Sequence, residues 1–394
     1  MRRWTDFLGE SFIKASGYAG ALAVVAIVFF LFKEGVGLFE RSPIEGFEVA
    51  VHNDNPVQKL NESQIRGLIF GQIKTWDELG GRGEAEVWHV SNLDKKLKAE
   101  GIRLGDNYLR LSSVLDSLLH ARPNIVLIFQ SPLLPPHAKR VEVGTMSVGG
   151  FLSGTNWKPT ESPAPLFGVW PLIGGTLLVT LYAMVIAVVL GVPTAIYLAE
   201  PAPKKVRAVV KPMIELLAGV PSVVFGFIGL ALVVPNLRLA FGLDSGSTAL
   251  AGSILLAIVA LPTIISVSED AIRAVPDALR QGSLALGATH WQTIYRVVVP
   301  HSRSGIAAGL ILGAGRIVGE TMVVLMVTGN NPQWVGWDAL KSVRTMSAAI
   351  AAEMGEAPQG GVHYQSLFTV GCVLFLLTFF VNFVGEMLKS KTKK

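Results

Sequence analysis

The stretch Trp170-Pro-Leu-Ile-Gly-Gly-Thr-Leu-Leu-Val-Thr-Leu-Tyr-Ala-Met-Val-Ile-Ala-Val-Val-Leu190 contains no charged side chain. Roughly 20 apolar residues suffice for a helix to cross a bilayer, so this segment reads as a membrane span. Five more stretches qualify or nearly do: about Gly17–Phe32, Met213–Val234, Ala249–Val267, Gly305–Val327 and Leu367–Leu388. The first is short and is expected to extend through Val36 and Leu38. The third holds Gly219 and Pro221, a pair that kinks or breaks a helix and is tolerated where it lines a cavity or packs on protein.

Composition agrees. Of 394 residues, 51% are hydrophobic and only 16% charged, with mean hydropathy +0.48; a soluble domain carries about 25% charge. The pI near 9.2 suits a nucleic-acid binder in principle. The basic residues, however, cluster beside apolar runs, as cytoplasmic loops require, so no nucleic-acid partner is expected. The lone cysteine, Cys372, rules out an intrachain disulfide and a cysteine-based metal site. The seven histidines show no ligand spacing, and no metal site is expected. Arg2 and Arg3 ahead of an apolar stretch resemble a signal peptide. Lys33 and Glu34 follow without a small-residue cleavage site, so a retained first helix is expected.

Lysine and arginine in short loops set orientation. Arg2, Arg3 and Lys14 precede span one. Lys204, Lys205, Arg207 and Lys211 lie between spans two and three. Arg273, Arg280, Arg296 and Arg303 lie between four and five, and Lys389, Lys391, Lys393 and Lys394 follow six. With six crossings all four clusters fall on one side, and the opposite loop Pro235 to Ser247 has only Arg238. Both termini are therefore expected in the cytoplasm. The segment from about Arg41 to Val148 has balanced charge and globular periodicity. Phe47–His52 and Asn124–Gln130 read as strands. Asn61–Phe70, Leu93–Glu100 and Leu111–His120 read as helices, the first capped by Asn61 or Ser63. This is a small α/β domain on the external face, and Pro132, Pro135 and Pro136 mark its exit.

The cytoplasmic loop reads Val275-Pro-Asp-Ala-Leu-Arg-Gln-Gly-Ser-Leu-Ala-Leu-Gly-Ala-Thr-His-Trp-Gln-Thr-Ile-Tyr-Arg-Val-Val-Val-Pro300. Pro276 suits a first helical position. A short amphipathic helix to about Leu286 stops at Gly287. A second helical piece starts near Thr289 and is expected to end at Pro300. The loop resembles the EAA loop of ABC importer permeases: the triplet Gln281-Gly282-Ser283, then Gly287, then Val297-Val298-Val299-Pro300. The resemblance implies that these residues seat in a groove of an ATPase subunit. Gln281 stands where the family usually has glutamate. No Gly-Lys dipeptide is present, hence no phosphate loop of the Walker type. ATP and Mg are expected on a partner ATPase, and no cofactor on this chain.

In span five, Gly305, Gly309 and Gly313 repeat every four residues and allow close helix packing. Arg316 and Glu320 continue nearly the same face. A charge at mid-membrane costs about 3 kcal/mol even on lenient scales and marks a pathway. Arginine offers a permanent charge and a fork that fits phosphate oxygens. Glu320 is expected to orient it. An ion pair that merely locks two helices remains open as the alternative.

Gly315-Arg-Ile-Val-Gly-Glu-Thr-Met322 and Glu215-Leu-Leu-Ala-Gly-Val-Pro-Ser-Val-Val-Phe-Gly-Phe-Ile-Gly-Leu230 resemble signatures of the phosphate importer permeases. Gly329-Asn330, Ala352-Glu-Met-Gly-Glu-Ala, His363 and Phe151-Leu-Ser-Gly-Thr-Asn-Trp-Lys-Pro159 resemble the PstC-type rather than the PstA-type subunit. The resemblance covers about Gly149–Lys389. It implies an all-α polytopic inner-membrane protein with six transmembrane helices and the type I importer fold, plus the external α/β insert. It also implies a sister permease, two ATP-binding subunits and an external phosphate-binding protein, with Arg316, Glu320 and Thr321 on the phosphate pathway. The expected division is residues 1–40, the insert 41–148, and a permease core 149–394 with its coupling loop at 270–303.

The family normally has a short loop where the insert lies. Phe47 to Gly81 resembles a piece of the periplasmic phosphate-binding proteins, with its strand, Asn55-Pro56 turn and helix ending in Gly71-Gln-Ile-Lys-Thr-Trp76. Where a Ser-Gly-Thr-Arg loop is expected, Val90-Ser-Asn-Leu-Asp94 stands instead. The insert thus reads as a degenerate half-lobe that docks the binding protein or caps the entrance. Permeases for molybdate or sulfate, and a membrane sensor using the insert, are the competing functions. No catalytic motif supports an enzyme.

Overall fold

A computed structural model describes residues 2–102, 108 and 110–391. Lys393 and Lys394 of the last basic cluster lie outside the described residues. The chain divides into two compact units, Met1–Val169 with Pro358–Thr369, and Trp170–Ala357 with Val370–Lys394. Six helical segments among the described residues are long and apolar enough to span a membrane: Glu10–Glu40, Trp170–Ala199, Ser222–Phe241, Ala249–Arg273, His290–Gly319 and Val362–Met387.

In the first unit, α1 (Arg2–Gly37) leads to a five-stranded sheet ordered β2-β5-β1-β4-β3. The strands are β1 (Glu48–Val51), β2 (Lys59–Leu60), β3 (Glu86–His89), β4 (Ile125–Phe129) and β5 (Lys139–Val143). β1 runs antiparallel to β4, with Glu48 opposite Phe129 and Val51 opposite Val126. Alternation along these strands feeds two cores. Val49, Val51, Val126 and Ile128 pack with Trp76 and with Ile65 and Leu68 of α2 (Glu62–Ile69). Ala50, Leu127 and Phe129 pack with Trp88, Leu97 of α3 (Leu93–Ala99), and Leu115 and Leu119 of α4 (Leu111–Ala121). Asn61 caps α2: its side chain accepts from the Gln64 N–H at 2.8 Å, and the Gln64 side chain accepts from the Asn61 N–H at 2.9 Å. α5 (Val148–Ser153) and the short pair β6 (Trp157–Lys158) and β7 (Leu166–Phe167) complete the ordered elements before span two.

The second unit is built on α6 (Trp170–Ala199), α7 (Lys204–Ala218), α8 (Ser222–Ile228), α9 (Val234–Phe241) and α10 (Ala249–Arg273). Then come α11 (Asp277–Ala285), α12 (His290–Thr293), α13 (Val299–Gly319), α14 (Met322–Val327) and α15 (Met346–Glu353). Helix α16 (Val362–Lys391) closes the chain. Small residues such as Ala183, Ala187, Ala257 and Ala260 fill the centre of its core, which lets backbones approach closely. The glycine stripe packs as its spacing predicts. A Cβ on Gly305, Gly309 or Gly313 would meet Ala271 Cβ at 2.2 Å, Ser268 Oγ at 2.9 Å or Ile264 Cγ1 at 2.5 Å, all on α10.

Three expectations are corrected. Span three begins at Ser222, not Met213, because residues up to Ala218 belong to α7, whose Arg207 and Lys211 bind protein groups: Arg207 donates to the carbonyls of Leu198 and Ala199, and Lys211 pairs with Glu269. Pro300 does not end a helix. A π-type turn over Ile294–Val298 joins α12 to α13, and Pro300 sits in the first turn of α13, where a missing N–H is tolerated. Span five stops at Gly319 rather than Val327. Glu320 takes an extended conformation (φ −70°, ψ 129°) before α14.

Candidate functional site

Arg316 lies in the last turn of α13. It is exposed on the single chain, and no hydrogen bond or ion pair holds its guanidinium among the described residues. Glu320 does not pair with it. Because the helix ends between them, Glu320 serves α14 instead: its Oε1 accepts the N–H groups of Thr321 and Met322 at 3.1 Å and of Val323 at 3.5 Å. A carboxylate at a helix start satisfies orphan donors and the positive end of the helix dipole. The Thr321 hydroxyl donates to the Gly319 carbonyl at 3.3 Å, across the same break. The Ser347 hydroxyl of α15 donates to the Glu320 carbonyl at 3.0 Å.

The segment after α14 folds back onto the end of α14 and the start of α10. Val343 N–H donates to the Thr328 carbonyl at 3.1 Å. The carbonyls of Ala339 and Lys341 accept the Leu250 and Ala249 N–H groups that open α10. Arg344 donates to the Asn330 carbonyl at 3.1 Å and forms an ion pair with Glu353 of α15. Sequence reasoning missed this pair. Its one signal is two opposite charges flanking a short apolar helix.

The loop from Val275 to Pro300 forms a helical elbow. α11 ends at Ala285 with Leu286 as its C-cap, and Gly287 adopts φ +81°, the left-handed conformation that glycine enters without a Cβ penalty. Thr289 then caps α12, accepting from Gln292 N–H at 3.2 Å while Gln292 accepts from Thr289 N–H at 2.9 Å. Ser283 Oγ and Thr293 Oγ1, 2.9 Å apart, tie the two arms. Gln281 and Gly282 are exposed, and nothing lies within 4 Å of a Cβ built on Gly282. Leu286 is 90% exposed and Trp291 64%, an apolar pair presented outward. Sequence reasoning did not single out Trp291, nor Arg280, whose contacts are described below. A lone arginine in a basic loop is read as a topology charge.

In the insert, Val90-Ser-Asn-Leu-Asp94 forms a single 3-10 turn running into α3. The Ser91 hydroxyl donates to the Ser162 carbonyl at 2.6 Å, so it is spent within the chain. Burial lowers the pKa of His89, at the end of β3.

Residues 191–394 match the family of binding-protein-dependent transport system inner membrane components. A probable ABC transporter permease protein, YqgH, of Bacillus subtilis is 40% identical over 243 residues, 62% of this chain and 78% of that protein. The phosphate transport system permease protein PstC of Mesorhizobium japonicum is 33% identical over 300 residues, 70% of this chain and 90% of that one. Among solved structures, the methionine ABC transporter MetNI in an inward-facing conformation is 21% identical, covering 57% of this chain and 97% of its own, at TM-score 0.45.

Proposed function

Because the chain belongs to the family of binding-protein-dependent transport system inner membrane components, as a permease subunit of a phosphate ABC importer, we propose that phosphate crosses beside Arg316 and that the 275–300 elbow carries a partner's ATP cycle to it. The chain is a multi-pass inner-membrane transport component rather than an enzyme. The observation that carries the pathway assignment is the state of Arg316: a guanidinium at the end of a membrane helix whose expected carboxylate is engaged elsewhere. Its charge is left for an arriving anion, and a planar fork suits phosphate oxygens. Thr321 and Glu320 line the same helix break, Glu320 as the group that shapes it.

ATP and Mg belong on two ATP-binding subunits in this reading, and a sister permease completes the conduit. An external phosphate-binding protein delivers the anion. Both termini face the cytoplasm, as the lysine and arginine distribution supports. Gln281, Gly282, Ser283, Gly287 and Pro300 serve ATPase docking. The exposed face of α11 and the left-handed turn at Gly287 support this role.

The insert docks the binding protein or caps the entrance rather than binding phosphate tightly. The engaged Ser91 hydroxyl supports this. Titration calorimetry of phosphate against the 41–148 segment is expected to show no micromolar binding; such binding would make the insert a receptor. Radiolabelled phosphate uptake with sulfate and molybdate in excess tests the substrate. Phosphate uptake should persist, and full competition by either oxyanion would reassign the cargo.

A further inference from the structure

α11 has no buried residue. Its leucines Leu279 and Leu284 stay 40% and 36% exposed, so apolar packing alone fixes the helix weakly and a polar hold adds to it. Apart from the Ser283–Thr293 hydroxyl contact, that hold converges on Arg280. Its Nε and Nη2 donate to Glu200 Oε1, just past the end of α6, at 3.1 and 2.8 Å. Nη2 also donates to the Ile272 carbonyl in the last turn of α10 at 2.9 Å. Nη1 donates to the Val275 carbonyl and, at 3.1 Å, to Asp277 Oδ1. The Arg280 and Glu200 side chains are only 18% and 16% exposed, so water screens this pair far less than a surface ion pair.

We propose that Arg280 is a positioning residue, a strut that makes α11 and the cytoplasmic ends of spans two and four move as one body. The proposal rests on the coupling reading above. A force delivered to the exposed Leu286 side of the elbow would pass through the guanidinium to α6 and α10. From α10 it would reach α13 along the glycine stripe, where Ile264, Ser268 and Ala271 touch Gly313, Gly309 and Gly305, and so the Arg316 end of that helix. Lysine cannot replace such a strut, because its single ammonium lacks the rigid fork that reaches a carboxylate and two carbonyls together.

The test uses the full chain, alone and assembled with its partner subunits. Spin labels at Tyr197→Cys on α6 and Ala278→Cys on α11 report the distance between the two elements. In the otherwise wild-type chain a narrow distribution that does not shift between nucleotide-free and ATP-bound complexes is expected. Arg280→Gln should at least double its width, Arg280→Lys should fall between, and Glu200→Gln should resemble Arg280→Lys. In assembled complexes that retain the ATPase subunit, phosphate moved per ATP hydrolysed should fall at least tenfold in Arg280→Gln. An unchanged width in Arg280→Gln, or a shift between nucleotide states with Arg280 present, would overturn the strut. Failure of any ATPase subunit to bind the wild-type chain would sink the coupling reading instead, and the label widths in the chain alone would still decide the strut.

Discussion

Arg316 and Glu320 stand four residues apart, yet α13 ends between them at Gly319 and no ion pair joins them. The carboxylate instead accepts three backbone N–H groups at the start of α14. The helix break therefore separates the two charges: the carboxylate holds the start of α14, and the Arg316 guanidinium stays exposed on the chain.

A consequence separates the two roles of Glu320. Glutamine keeps an oxygen acceptor for the Thr321 and Met322 N–H groups, whereas alanine leaves them without one, a loss of about 1 kcal/mol for a helix cap. Glu320→Gln should retain most uptake and Glu320→Ala should lose several-fold more. Equal and complete loss in both would mark Glu320 as the counter-charge of Arg316.

Gly287 carries a conformational demand and no packing demand. Its φ is +81° and a Cβ there meets nothing within 4 Å. Gly287→Val should cost about 1–2 kcal/mol of local strain and abolish uptake while membrane insertion persists. Gly287→Asn, which enters the left-handed region more readily, should restore a measurable part. Normal uptake by the valine variant, scored beside immunodetected chain in the membrane, would remove the elbow from the coupling mechanism.

Stability of the insert should depend on pH through His89. Burial lowers its pKa below the ordinary 6.5, so the unfolded chain binds the proton more readily than the native one. The stabilising difference is fully present above about pH 6.5 and is lost as pH falls below that value through the lower folded pKa. The protection factors of the β3 and β4 amides, each exchange rate referred to the intrinsic rate at that pH, should fall between pH 7 and 5.5, and His89→Gln should flatten the dependence. An identical profile in the variant would assign the titration elsewhere.

Six spans were legible because hydropathy over about twenty residues reports directly on what a bilayer tolerates. The sheet of the insert was legible because Phe47–His52 and Asn124–Gln130 read as short strands, whereas the Gln64 half of the Asn61 capping box emerged only in the structure. The start of span three was not legible, since Met213 to Ala218 is apolar apart from Glu215, and α7 is seated beside α6 and α10 by tertiary contacts of Arg207 and Lys211 together with the packing of Val210 and Ile214. The break after Gly319 carries no proline, and a glutamate four residues after an arginine suggests a pair until the helix is seen to stop. Pro300 read as a terminator because the widened turn at Ile294–Val298 leaves no composition signal. Arg316 drew notice from the cost of a charge in a membrane, but the helix end just beyond it carried no such signal. The Ser347 hydroxyl on the Glu320 carbonyl was not legible, being separated by a long loop in sequence.

The central claim is that the Arg316 guanidinium meets the transported anion. The most direct measurement is radiolabelled phosphate uptake into vesicles holding the assembled complex, comparing wild type with Arg316→Gln while the recovered subunits are quantified. The account predicts uptake reduced to background with every subunit still present. Wild-type uptake by the variant, or a complex that no longer assembles, would contradict it.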